Sequence, residues 1–126
     1  MLGIEKLKIA KQVLEENLGN RLKSLDFNDL AIRIRVVLQE GNMIYIYFND
    51  HEEYSYSLIF SSSKLDRVRF DNFDKDWDVK TSPHHFHPRN VEEGFDSPMV
   101  GEPLDDLKYF CDLINTEVLH DANFRP

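Results

Sequence analysis

Three of the chain's five histidines fall within four consecutive positions, in the stretch TSPHHFHP, where His84, His85 and His87 stand between Pro83 and Pro88. In extended backbone alternate side chains share a side, so His85 and His87 point one way while His84 and Phe86 point the other. The two same-side imidazoles are then expected about 7 Å apart. Imidazole is the side chain that titrates near neutrality unperturbed, so the pair can flank a scissile phosphate as acid and base. Joined by a third ligand, the same pair can chelate a divalent metal.

Neither chemistry is complete with histidines alone. A metal needs that third ligand, and a tuned base needs a carboxylate to orient it. Asp71 and Asp78 are the nearest candidates, and Asp71 is the better placed. It follows Arg67-Val68-Arg69-Phe70, and a strand over residues 65 to 72 lying beside the histidine segment turns Asp71 toward the pair. The same alternation puts Arg67, Arg69 and Asp71 on one side, giving a local pair of cations able to hold a phosphate or another anion. Against these readings stands a plain one, in which the histidines belong to an exposed loop or make capping hydrogen bonds. His51 and His120 are expected in solvent, Cys111 in the core, and Trp77 with Phe73 at one end of the core rather than stacked on bases.

Those side chains need elements to hold them. Ile4, Leu7, Leu14 and Leu18 recur at helical spacing and predict a helix over residues 3 to 18, closed by Gly19-Asn20. From Leu30 the period becomes two: Ile32, Ile34, Val36 and Leu38 alternate with polar residues, and Glu40-Gly41-Asn42 turns into residues 43 to 48. Residues 54 to 60 and 65 to 72 follow after polar turns, so an antiparallel meander of four strands is expected. A loop is expected over residues 71 to 78. Residues 79 to 87 can return as a short fifth strand, confined by Pro83 and Pro88 to a sheet edge or an irregular extended piece, and residues 89 to 102 as a surface loop. Pro103 opens a last helix carrying Asp105 and Asp106 in its first turn and Leu107, Cys111, Ile114 and Val118 on its apolar stripe. The fold class read from this order is α+β: a meander sheet of four to five strands, with an N-terminal and a C-terminal helix packed on one face.

Composition narrows the function classes. The chain has 126 residues, the size of a single domain, 1–126, and 41% hydrophobic residues, enough for a core. Its formal charge of −8 repels phosphate backbones at long range and argues against indiscriminate nucleic-acid binding, leaving room for a local basic site or a charged protein partner. One cysteine allows no internal disulfide, no signal-peptide pattern opens the chain, and no apolar run approaches the length needed for a bilayer, so a cytoplasmic protein without a membrane partner is expected.

The run Tyr54-Ser55-Tyr56, then Arg69-Phe70-Asp71-Asn72, then Pro83-His84-His85-Phe86-His87 ten residues later, resembles the TumE-type toxins of type II toxin–antitoxin systems over roughly residues 30 to 115. Residues 73 to 78 depart from that pattern, being acidic and without a histidine. The resemblance implies a small antitoxin as partner and RNA as a substrate, and its pattern falls on Arg69, Asp71, Asn72, His84, His85 and His87. Joined to the residue chemistry, it leads to a metal-independent ribonuclease in which His85, His87 and Asp71 are catalytic and Arg67, Arg69, Asn72 and His84 bind substrate. Two alternatives stay open, a His/Asp metal-binding protein with a divalent ion at His85 and His87, and a non-catalytic interaction module in which Arg33, Arg35, Arg67 and Arg69 meet an acidic peptide or the acidic helices meet a basic one. A homodimer is compatible with all three.

Overall fold

The computed structural model describes residues 1–73 and 77–126; the middle of the loop expected over residues 71 to 78 lies outside the described residues. Helix α1 is Gly3–Leu18 and α2 is Pro103–Asn115. The strands are β1 Leu22–Asn28, β2 Arg33–Leu38, β3 Met43–Phe48, β4 Tyr54–Ile59, β5 Arg67–Asp71, β6 His85–His87 and β7 Phe95–Asp96. They pair in chain order, every neighbour antiparallel, in one seven-stranded sheet.

The architecture is the expected α+β meander, with seven strands in place of four to five. β1 escapes a period-two reading because its register shifts between Leu22 and Ser24, so that Leu22, Leu25 and Phe27 do not alternate evenly. β7, inside the segment expected as a loop, has two residues and no readable pattern. It also takes the edge position expected of β6, which lies between β5 and β7. Pro83 and Pro88 fall just outside the three residues of β6, so neither interrupts its ladder.

Alternation sorts the sheet into two faces. One carries Ile34, Ile44, Ile46, Tyr56, Phe70 and Phe86, all fully buried, against Leu7 and Leu14 of α1 and Leu107 and Phe110 of α2. Each such large apolar side chain contributes about 1.5–3 kcal/mol by leaving water. α2 starts where its sequence signals it: the Glu102 side chain accepts from the Asp105 N–H at 2.8 Å, and Pro103 occupies the first turn. It ends before Val118, which belongs to a separate 3-10 turn, Val118–His120. Asp106 ties helix, loop and sheet together, accepting from Tyr56 Oη at 2.7 Å and from the Gly101 N–H at 2.8 Å. Gly101 has φ +88, and a Cβ there would meet the Tyr54 ring at 3.0 Å, so this close approach requires glycine.

The other face bears no helix and presents the complementary set of side chains, including Arg33, Arg35, Tyr45, Tyr47, Arg69, Asp71, His85 and His87. β6 has one anchor in the core, Phe86, whose ring lies 4.6 Å from that of Phe70. Phe86→Ala is therefore expected to lower unfolding free energy in urea by about 3–5 kcal/mol. Leu30→Ala, at a side chain 93% exposed, should change it by less than about 0.5 kcal/mol.

Candidate functional site

The β5–β6 register sets Asp71 opposite His85 and Arg69 opposite His87, all on the open face. Asp71 Oδ1 lies 2.5 Å from His85 Nε2, and Asp71 Oδ2 contacts Arg69 Nε. On the far side of the same imidazole, Nδ1 is 2.9 Å from the Pro83 carbonyl oxygen. An oxygen thus lies beside each ring nitrogen of His85, in a hydrogen bond at Nδ1 and in a close ion-pair contact at Nε2, and the doubly protonated imidazolium is the form that suits both. The His87 ring stands perpendicular to that of His85 at 4.8 Å between centroids, closer than the 7 Å expected from backbone spacing because the rings meet edge to face. Neither nitrogen of His87 has a hydrogen-bond partner among the described residues.

The cluster is closed. Asp71, His85 and His87 are 1%, 1% and 2% exposed, while the Arg69 side chain keeps 41% of its surface. Trp77 covers the imidazoles, its ring 6.0 Å from His85 and 5.2 Å from His87. Gly94 makes room for the indole, since a Cβ there would come within 3.1 Å of Trp77 Cδ2. Trp77 and Phe73, expected at an end of the core, lie instead on the open face: Phe73 stacks on Tyr47 at 5.9 Å and is 37% exposed. A core position requires backing by the helices, and both helices sit on the opposite side.

Burial and charge pull the two histidines apart. Burial works against a charged His85, but the Asp71 carboxylate and the Pro83 carbonyl outweigh it and raise its pKa. For His87 burial is unopposed by any hydrogen bond and is reinforced by the Arg69 charge, taking its pKa down to about 4. Burial alone would raise the pKa of Asp71; the His85 hydrogen bond and the Arg69 charge hold it below the usual carboxylate range. The tuning favours an anion between two cations, with a neutral imidazole alongside.

Several expected site residues are placed elsewhere. His84 lies on the core side, stacked on Tyr54 with Nδ1 2.9 Å from the tyrosine hydroxyl. Asn72 staples a turn, accepting from the Tyr54 N–H at 3.0 Å and donating to the Glu52 carbonyl at 2.9 Å. Arg67 shares the face but donates to the Pro88 carbonyl at 3.2 Å. Asp78 is exposed and makes no ion pair among the described residues. His51 and His120 are exposed, and Cys111 is buried with its thiol pKa pushed up to about 12 by desolvation. Sequence reasoning missed the indole roof; the one tryptophan, a few residues ahead of the histidines, was the available signal.

The same donors suit a metal only in part. One ligand atom each from Asp71, His85 and His87 falls within 4.8 Å of the others. A divalent ion there would have to displace the proton on His85 Nε2 and stand beside the Arg69 guanidinium, which already touches Asp71.

The family model described as Toxin TumE matches residues 7–118, more than the stretch from 30 to 115 that the motifs cover. The chain belongs to the TumE toxin family. No curated protein and no solved structure matches it. As a TumE toxin it is the toxin of a toxin–antitoxin system, and the family implies an antitoxin partner. No helix among the described residues is long and apolar enough to cross a membrane.

The Asp71–His85 pair has a definite pH signature. Asp71 has a lowered folded-state pKa, so its stabilisation is complete above its unfolded value, about 3.9, and is lost as pH falls. His85 has a raised one, so its stabilisation is complete below about 6.5 and is lost as pH rises through the folded value. Asp71→Ala is expected to cost roughly 3 kcal/mol in urea unfolding, from leaving a buried partner without its counter-charge. The difference from the unsubstituted protein should be largest between about pH 4 and 6.5 and shrink above that range.

Proposed function

We propose that this toxin acts in the cytoplasm as a metal-independent ribonuclease, with His87 as general base and His85 as general acid. The observation that carries the reading is the opposite tuning of two imidazoles 4.8 Å apart, one held charged between Asp71 and Pro83 and the other left neutral. In the reaction His87 takes the proton of a ribose 2′-hydroxyl as that oxygen bonds to the adjacent phosphorus. The P–O5′ bond breaks, and His85 gives its Nε2 proton to the departing oxygen, a transfer that requires the Nε2–H to turn from Asp71 Oδ1, where it rests, toward the substrate. The products are a 2′,3′-cyclic phosphate and a 5′-hydroxyl end, and solvent restores both proton states. Asp71 orients His85 and balances its charge, and Arg69, the most exposed member of the cluster, meets the charge that develops on the phosphoryl oxygens. Access to the imidazoles runs past Trp77, so the indole has to give way to the substrate.

Induced expression is expected to arrest growth, and purified protein to cut RNA in the presence of EDTA, leaving cyclic-phosphate ends. His87→Gln should slow cleavage on the order of 10²–10⁴-fold. The rate should rise through an acid limb near pH 4, as His87 becomes neutral, and fall above pH 6.5 as His85 loses its proton. Arrest and cleavage that persist when His85 and His87 are both replaced by alanine would rule these roles out.

A divalent metal held by Asp71, His85 and His87 is the second reading, supported by the two unpartnered nitrogens of His87. It predicts that zinc or manganese raises the melting temperature of the unsubstituted protein and not that of His87→Gln, and that EDTA abolishes cleavage.

A further inference from the structure

The register that builds the cluster also aligns side chains across the whole open face. One row runs Arg35, Tyr45, Ser57, Arg69, His87, and the next runs Arg33, Tyr47, Ser55, Asp71, His85. At about 4.8 Å per strand, the path from Arg35 to His87 is about 19 Å long. In β2–β5 this face holds four of the chain's seven arginines and a single carboxylate, Asp71, which is already paired; the next strand, β1, adds Asp26 opposite Arg35, so that end carries two cations and one anion. The net charge of −8 therefore resides elsewhere. Arg33 and Arg35 are exposed and form no ion pair among the described residues. Between those arginines and the histidines lies aromatic surface, Tyr45 beside the stacked pair Tyr47 and Phe73.

We infer that the open face of β2–β5 is a binding track for single-stranded RNA, with Arg33 and Arg35 on phosphates and Tyr45, Tyr47 and Phe73 under bases, leading the strand to the histidines. The choice of RNA over a protein rests on the ribonuclease reading; the track itself rests on the rows. Cations at one end suit any anionic chain, whereas unpaired cations interleaved with flat rings suit one that alternates charge with π-faces. A duplex does not offer its bases to such rings, so single strands are preferred.

The probe is a fluorescein-labelled single-stranded 2′-O-methyl oligonucleotide, which lacks the nucleophilic hydroxyl and reports binding by the intact protein without cleavage. Arg33→Gln with Arg35→Gln should weaken it at least tenfold and flatten the dependence of log K on log salt by about 0.7 for each phosphate no longer neutralised. Tyr45→Ala should weaken it between about five- and a hundredfold. Unchanged melting temperatures establish that these surface variants fold. Equal affinity for a duplex, or unaltered binding by the arginine pair variant, overturns the track. So does tighter binding of polyglutamate than of the oligonucleotide at the same arginines, which makes the face a protein-binding one. Cleavage of unmodified RNA is scored separately. Binding that depends on the arginines without any cleavage leaves the track and removes the ribonuclease; cleavage that ignores them does the reverse.

Discussion

Everything at the open face depends on one carboxylate with two cations. Asp71 is buried, and a buried anion is tolerated only when its charge is answered on the spot. Here it is answered twice, by His85 at Oδ1 and Arg69 at Oδ2. That field sets the charges around it: His85 keeps its proton because of Asp71, and His87 stays neutral because burial and the neighbouring guanidinium oppose another positive charge. The acid and the base are one electrostatic arrangement seen from two rings.

The arrangement in turn depends on strand register. Asp71 meets His85 because β5 and β6 pair as they do, and Phe86, between the two histidines, is the residue that fixes β6 to the core. A slip by one residue would send His85 and His87 into the apolar layer and Phe86 into solvent. Fold stability and site geometry are therefore guarded by the same side chain. The helices cover one face so fully that the other is free for polar chemistry, which is how a strongly acidic chain presents a basic sheet surface.

Legibility in the sequence followed periodicity. α1, β2, β3 and β4 could be read because their patterns run for six residues or more, and Asp71 could be placed opposite the histidines because alternation in β5 and β6 leaves little choice. β1 was hidden by its bulge and β7 by its length. The side on which His84 falls was readable, but its bond to Tyr54 and the turn-stapling bonds of Asn72 were not, since their partners, Tyr54 in β4 and Glu52 just before it, stand far away in sequence. Trp77 was misplaced for a related reason: an aromatic residue in a loop packs wherever tertiary structure leaves an apolar gap, and here that gap lies over two imidazoles beside Gly94.

The most direct measurement is nitrogen-15 NMR of the histidine rings across a pH titration, assigned with His85→Gln and His87→Gln. The account predicts that His85 gives up its second ring proton only above the ordinary value of about 6.5, while His87 stays neutral down to about pH 4. Two rings titrating together near 6.5, or a neutral His85 at pH 6, would contradict it.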